Sequence, residues 1–217
     1  MKKRLMAAVL STAMAATMLL TGSISVQAAD AAAANDPAVE LIFTSVSVSG
    51  DSHTEAMYEF ADKVEELSGG SVTCKCYDNG SLFSSENEFD ALLNGDADLA
   101  YISFPTIATQ IPSYSMFASG YLFSSYEHVT SVLNGEIGLN KIRPQIEETL
   151  NIKPLSSFYL GSRVINTREK EINSYDDMNG LLLRMPNSEA WLFLGEALGA
   201  NPTPLSFSEL YTALQTG

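Results

Sequence analysis

Two arginines stand where the apolar pattern leaves little room for charge. Arg184 interrupts Leu181-Leu182-Leu183-Arg184-Met185, an otherwise apolar run closed by Pro186. Arg163 follows Gly161-Ser162 at the end of another apolar stretch. A guanidinium keeps its proton in a protein, and burying one unpaired is expensive. Each therefore needs a carboxylate of the fold or an anion from outside. Ion-pair networks are common enough that the residues alone leave both readings open.

Other reactive side chains point to less chemistry. His53 and His128 sit near helix starts and lack carboxylate or Cys companions at helical spacing, so neither reads as a metal ligand or a general base. His53 follows the first strand, where α/β sheets open their clefts, and is kept as a ligand-facing candidate. Cys74 and Cys76 form a C-x-C pair, but on a strand they replace β-branched residues on the core side. A disulfide between them would strain the strand. Asp96 and Asp98 read as turn residues ahead of a strand rather than a metal pair. No G-x-S-x-G, H-E-x-x-H or P-loop occurs, and the expectation is a protein that is not an enzyme and needs no cofactor or metal.

The elements that must position these residues alternate between strand and helix, which predicts an α/β protein with crossover connections. Val39 to Val48 reads as a strand. Ser52 and Glu55 form a capping box for a helix whose apolar face is Ala56, Phe60, Val64 and Leu67, ending at Gly69-Gly70. Val72 to Tyr77 alternates as a strand and turns at Asp78-Asn79-Gly80. Ser85 and Glu88 box a second helix, and Leu99 to Ser103 is a strand stopped by Pro105. Residues 111–124 resist assignment. Ser124 and Glu127 open a helix to Leu133, and another runs from Ile137 to Leu150 with Pro144 at its start or kinking it. Strands are expected at Leu155 to Leu160 and Val164 to Thr167, a short helical turn after Ser174, and a buried strand at Leu181 to Met185. A helix from Ser188 to Leu198 stops at Gly199. Pro202 and Pro204 bracket a loop, and Ser206 and Glu209 box a last helix.

The chain has 217 residues, with 12 Lys and Arg against 26 Asp and Glu. A net charge of −14 argues against nucleic-acid binding, which draws its affinity from Lys and Arg on phosphates. Residues 1–28 combine Lys2-Lys3-Arg4, an uncharged run from Leu5 to Leu20 and Val26-Gln27-Ala28, the pattern of a cleaved signal peptide. That run is shorter than a membrane span needs. Leu19-Leu20-Thr21-Gly22-Ser23 is similar to a lipoprotein box with Ser in place of the lipidated Cys. Residues 29–38 read as an Ala-rich, disordered tether. Cleavage removes three basic residues and no acid, leaving 9 basic and 26 acidic, a charge of −17. Such a chain is expected outside the cytoplasmic membrane without inserting in it.

Three segments carry a resemblance: Gly180-Leu181-Leu182-Leu183-Arg184-Met185-Pro186-Asn187-Ser188, then Leu198-Gly199-Ala200-Asn201-Pro202-Thr203-Pro204, then Glu209-Leu210-Tyr211-Thr212-Ala213-Leu214-Gln215-Thr216-Gly217. Together they resemble the DctP-type extracytoplasmic solute-binding subunits of tripartite ATP-independent periplasmic (TRAP) transporters. Ala61 to Gly70 and Asn94 to Leu99 fit as well. The resemblance implies a two-lobed, periplasmic-binding-protein-like (type II) α/β fold that closes on its ligand, with residues 39–160 as the first lobe and 161–217 as the start of the second. It implies an organic acid ligand and integral-membrane TRAP subunits as partners. By the family's motifs the ligand carboxylate falls to Arg184, a second ligand contact to Arg163, and others to Asn187, Phe207 and Ser103. Gly120 stands where the family usually has Pro, and Ser103 where some members have a carboxylate. The family continues past the position of Gly217, so a second lobe incomplete in this chain is expected. A sensor reporting to a signalling partner would show the same site, and an exported hydrolase would need a nucleophile and base that two poorly placed histidines do not supply.

Overall fold

A computed structural model describes residues 38–216. The expected signal peptide, 1–28, and all but the last residue of the expected tether, 29–38, lie outside the described residues. The first half of the described chain is built on a three-stranded parallel sheet. β1 (Val39–Thr44) lies between β2 (Val72–Tyr77) and β3 (Leu99–Ala100), with Phe43 opposite both Cys76 and Leu99. α1 (Ser52–Leu67) crosses from β1 to β2, and α2 (Glu88–Asn94) leads into β3. Parallel strands require such crossovers.

α1 starts one residue earlier than its expected box. The cap is Asp51, whose carboxylate accepts from the His53 backbone N–H at 2.9 Å. Its buried stripe is Thr54, Met57 and Ala61, while Leu67 from the expected face is 84% exposed. Apolarity misidentified that face because Thr54 can be buried at no polar cost: its hydroxyl donates to the Val48 carbonyl at 2.8 Å. β1 ends at Thr44 instead of Val48. The expected box at Ser85 and Glu88 does not form either. Ser85 bonds to Glu86, and Glu88 turns into the interior. β3 is also short: its last residue, Ala100, pairs with Thr44, where β1 itself ends, and Ser103 goes on to cap the next helix.

α3 (Phe104–Ile107) follows, then a 3-10 turn over Pro112–Ala118. α4 (Tyr126–Asn134) is capped by Ser125, not Ser124. A π-helical turn, Gly138–Ile142, runs without a break into α5 (Arg143–Leu150), so Pro144 lies inside a continuous helical run and the wider π spacing falls just ahead of the residue that lacks an N–H. These elements enclose a core of Phe89, Ile107, Ile111, Tyr114, Leu133, Ile142 and Ile146. The Tyr114 hydroxyl donates to the Ile142 carbonyl at 3.0 Å, which satisfies the polar end of a buried ring.

The strands expected at 155–160 and 164–167 are irregular chain. A strand needs a neighbour for its backbone groups. Here side chains supply the bonds instead. Asn134 donates to the Ser157 carbonyl and accepts from the Ser157 N–H, and Arg143 donates to the Leu155 carbonyl.

After a 3-10 turn at Tyr175–Met178, boxed by Ser174 and Asp177, the chain forms a second parallel pair. β4 (Leu182–Met185) is joined through α6 (Glu189–Ala197) to β5 (Asn201–Pro204). β4 is not buried on both sides, since Leu182 is exposed. β5 replaces the expected loop. Asn201 donates to the Leu181 carbonyl and Leu205 to the Met185 carbonyl, so Pro202 and Pro204 fall at positions whose missing N–H groups face away from β4. Gly195 lets α6 settle on this pair, because a Cβ there would come within 2.8 Å of Pro202 Cβ. α7 (Leu210–Thr216) closes the described chain.

Candidate functional site

Arg184 projects from β4, the strand that its neighbours Leu183 and Met185 pack against α6. Its Nε donates to the Leu205 carbonyl at 2.9 Å, just past β5. This single bond fixes the side chain while leaving both amino groups unbonded among the described residues. The guanidinium carbon lies 6.0 Å from the centre of the Phe207 ring. Partial burial holds the Arg184 pKa below its ordinary value, and the nearby Arg163 charge lowers it further. Glu86 acts weakly in the opposite sense.

Arg163 reaches the same region from the irregular segment. Its guanidinium carbon stands 4.2 Å from the centre of the Trp191 ring, on α6. It makes no hydrogen bond and no ion pair among the described residues. Solvent still reaches the residue, yet crowding around the guanidinium lowers its pKa by desolvation. Neither arginine has a carboxylate within ion-pair distance among the described residues, where the ion pairs are His53–Asp51 and Lys63–Glu66. The structural ion pair that the sequence left open is therefore not what places these charges.

Arg143 shows what a structural arginine looks like in this fold. Its Nη1 donates to the Leu155 carbonyl at 3.1 Å and its Nη2 to the Asn134 side chain at 2.7 Å. Its Nε is buried without a partner among the described residues, so the difference lies in the amino groups: those of Arg163 and Arg184 are unbonded among the described residues. Arg163 and Arg184 repel each other and the Glu86 charge offsets this only weakly, so a negative group arriving between them would relieve the repulsion.

The other expected residues are placed less tightly. Phe207 is exposed beside Arg184 and lines a small recess with Val46, Asn79, Gly80 and Ser85. Asn187 is exposed at the end of β4, one residue before the α6 cap Ser188. The Ser103 hydroxyl accepts from the Thr106 N–H and pairs with the Thr106 hydroxyl at 2.8 Å, so it is engaged in capping α3. His53 lies in a cluster of rings, 5.8 Å from Tyr101 and 6.2 Å from Phe158.

Sequence reasoning missed Trp191, the Leu205 carbonyl and the rings of Tyr101 and Phe158. One signal existed: Trp191 is the chain's single tryptophan and follows Arg184 on the next helix. A larger hollow of about 560 Å³ lies between the 112–118 turn and α6. It is mainly apolar and includes Glu189, a poor lining for an anion. Cys74 and Cys76 are free and half-buried. Burial raises both thiol pKa values, that of Cys76 to about 11.

A family model described as bacterial extracellular solute-binding protein, family 7 (DctP) matches residues 43–217. A solute-binding protein of Roseobacter denitrificans is 32% identical over 162 residues, covering 75% of this chain and 49% of its own. The sialic acid-binding periplasmic protein SiaP of Vibrio cholerae is 32% identical over 156 residues, covering 72% of this chain and 48% of its own. The chain thus spans about half the length of these relatives. Among solved structures, a TRAP periplasmic solute-binding protein of Roseobacter denitrificans with bound 3-deoxy-D-manno-oct-2-ulosonic acid superposes with a TM-score of 0.76 at 38% identity, over 83% of this chain and 59% of that one. A sugar acid binding protein of Advenella mimigardefordensis in complex with galactonate reaches a TM-score of 0.78 at 28% identity, over 84% of this chain and 58% of that one.

Proposed function

Since this chain belongs to the DctP family of bacterial extracellular solute-binding proteins, we propose that it captures an organic acid anion outside the cytoplasmic membrane and delivers it to the integral-membrane subunits of a TRAP transporter. Its α/β architecture with parallel sheets is that of the type II binding-protein fold. The family supplies solute-binding components of transport and not enzymes. Residues 39–160 serve as the first lobe and the chain from 161 as the beginning of the second.

The observation that carries the reading is the pair of uncommitted guanidiniums. Arg184 has both amino groups unbonded among the described residues, and a planar fork suits the two oxygens of a carboxylate. Arg163 adds a second positive charge to the same place. Phe207 offers a ring face to the ligand body and Asn187 an amide. We assign the ligand contacts from the first lobe to Ser103 and His53. The relatives' ligands support the chemical class: solved family members hold succinate, galactonate and glucuronate.

A thermal-shift and calorimetry panel tests it, with succinate, galactonate, glucuronate and 3-deoxy-D-manno-oct-2-ulosonic acid beside the neutral sugars galactose and glucose. At least one acid should raise the melting temperature and the neutral sugars should not. An acid at about 100 times its dissociation constant adds about 2.7 kcal/mol. A panel in which neutral sugars shift the transition as much as the acids, or in which nothing does, would sink the proposal.

A further inference from the structure

Arg163 comes from a stretch of chain that cannot hold it in place. Residues 159–171 are irregular and exposed, and no hydrogen bond reaches the Arg163 side chain among the described residues. Its neighbour Arg184 repels it. A long, flexible cation in that position would swing into water. What it meets instead is Trp191, which is 8% exposed and packed with Ala118 and Met185.

We infer that Trp191 is the positioning residue for Arg163, holding the guanidinium over its indole ring so that the charge and the N–H donors remain available to the bound anion. This inference rests on the organic-anion reading of the site. An aromatic face attracts a cation through its quadrupole but leaves the charge intact. A carboxylate in the same place would fix Arg163 equally well and would also neutralise it, and the ligand would then have to compete with it. The arrangement also ties the two arginines to one rigid unit. Arg184 stands on β4, its anchoring carbonyl belongs to Leu205 after β5, and Trp191 lies on α6 between them. Through the ring, an arginine from the irregular segment is registered to the same strand-helix-strand unit.

The ring and its shape can be separated. Trp191→Leu keeps an apolar side chain and removes the π face, whereas Trp191→Phe keeps a smaller face. With galactonate and succinate as probes, Trp191→Leu should weaken binding by about 2- to 30-fold, the range of a cation–π contact. Trp191→Phe should lose less. Adding Trp191→Leu to Arg163→Met should cost almost nothing further, since the ring then has nothing to hold. Equal losses in Trp191→Leu and Trp191→Phe, or additive losses in the double variant, would overturn the inference.

Trp191 is the sole tryptophan, so its emission reports the contact without any ligand. Arg163→Met should change that emission, and an unchanged spectrum would also overturn the inference, even if Trp191→Leu fails to fold. If the unsubstituted chain binds neither acid, the organic-anion reading falls, while the emission of Arg163→Met still decides whether the cation sits on the ring.

Discussion

Glu88 is buried beside Thr44, at 3% and 0% exposure, and among the described residues neither Glu88 Oε1 nor Thr44 Oγ1 makes a hydrogen bond. Thr44 ends the central strand and Glu88 begins the helix that leads into β3, so an acid sits at a junction of the parallel sheet. Burial raises its pKa to about 7, and the Thr44 hydroxyl, close enough to favour the ionised form, offsets that only slightly.

The raised pKa makes stability depend on pH in a definite direction. The native state binds the Glu88 proton more tightly than the unfolded chain, whose value is near 4.5. The contribution is complete below that value and is lost as pH rises through about 7. The total is on the order of 3 kcal/mol. Glu88→Gln should therefore be more stable than the parent at pH 8, and the advantage should vanish near pH 4.5. Urea midpoints across that range are the measurement, and a parallel pair of curves would contradict it.

Arg184→Lys separates ligand binding from folding. Lysine brings a point charge in place of a planar fork. A lost charge-assisted pair costs about 1.5–3 kcal/mol, or roughly 10- to 150-fold in affinity for an acid such as galactonate. The fold should barely respond, because Arg184 has no ion-pair partner among the described residues. Calorimetric titration beside a thermal melt checks both halves. Unchanged affinity with a lowered melting temperature would make Arg184 a structural residue.

What was readable in the chain was local. The strand Val72 to Tyr77 and its turn at Asn79-Gly80 follow from alternation and from residues that accept positive φ. The helix after Ser188 begins at a serine cap and stops at Gly199, again local signals. What was not readable depended on partners distant in sequence. Asn201-Pro202-Thr203-Pro204 has the composition of a loop and becomes a strand only because Leu181 and Met185 offer carbonyls at the right spacing. Leu155 to Leu160 has the composition of a strand and fails to become one because Asn134 and Arg143 take its backbone groups. The arginines were visible as misplaced charges, but Trp191 was not visible as their neighbour. Ring contacts leave no periodic trace in a sequence.

The two thiols should resist modification in the folded chain. Thiolate is the reactive form, and burial raises the pKa of both Cys74 and Cys76, with Cys76 at about 11. Cys76 also lies against α1, its Sγ 3.9 Å from the Met57 carbonyl. With a disulfide-exchange reagent at pH 7.5, Cys76 should react more slowly than Cys74, and both should react quickly in denaturant. Immediate native labelling of both would show that the strand face is open.

The cap of α1 tests the corrected start of that helix. Asp51 accepts from the His53 backbone N–H, and this bond is the main reason its pKa lies below the ordinary carboxylate value. Ser52, which pattern alone would favour as the cap, lies inside the helix and is exposed. Asp51→Ala should cost about 1 kcal/mol, the usual loss for a capping side chain, while Ser52→Ala should be nearly neutral. The depressed pKa also fixes a sign. The capping stability is present above the unfolded carboxylate value and is lost as pH falls through the lower native one. The difference between Asp51→Ala and the parent should therefore shrink in acid. Equal costs for the two alanine variants at neutral pH would return the cap to Ser52.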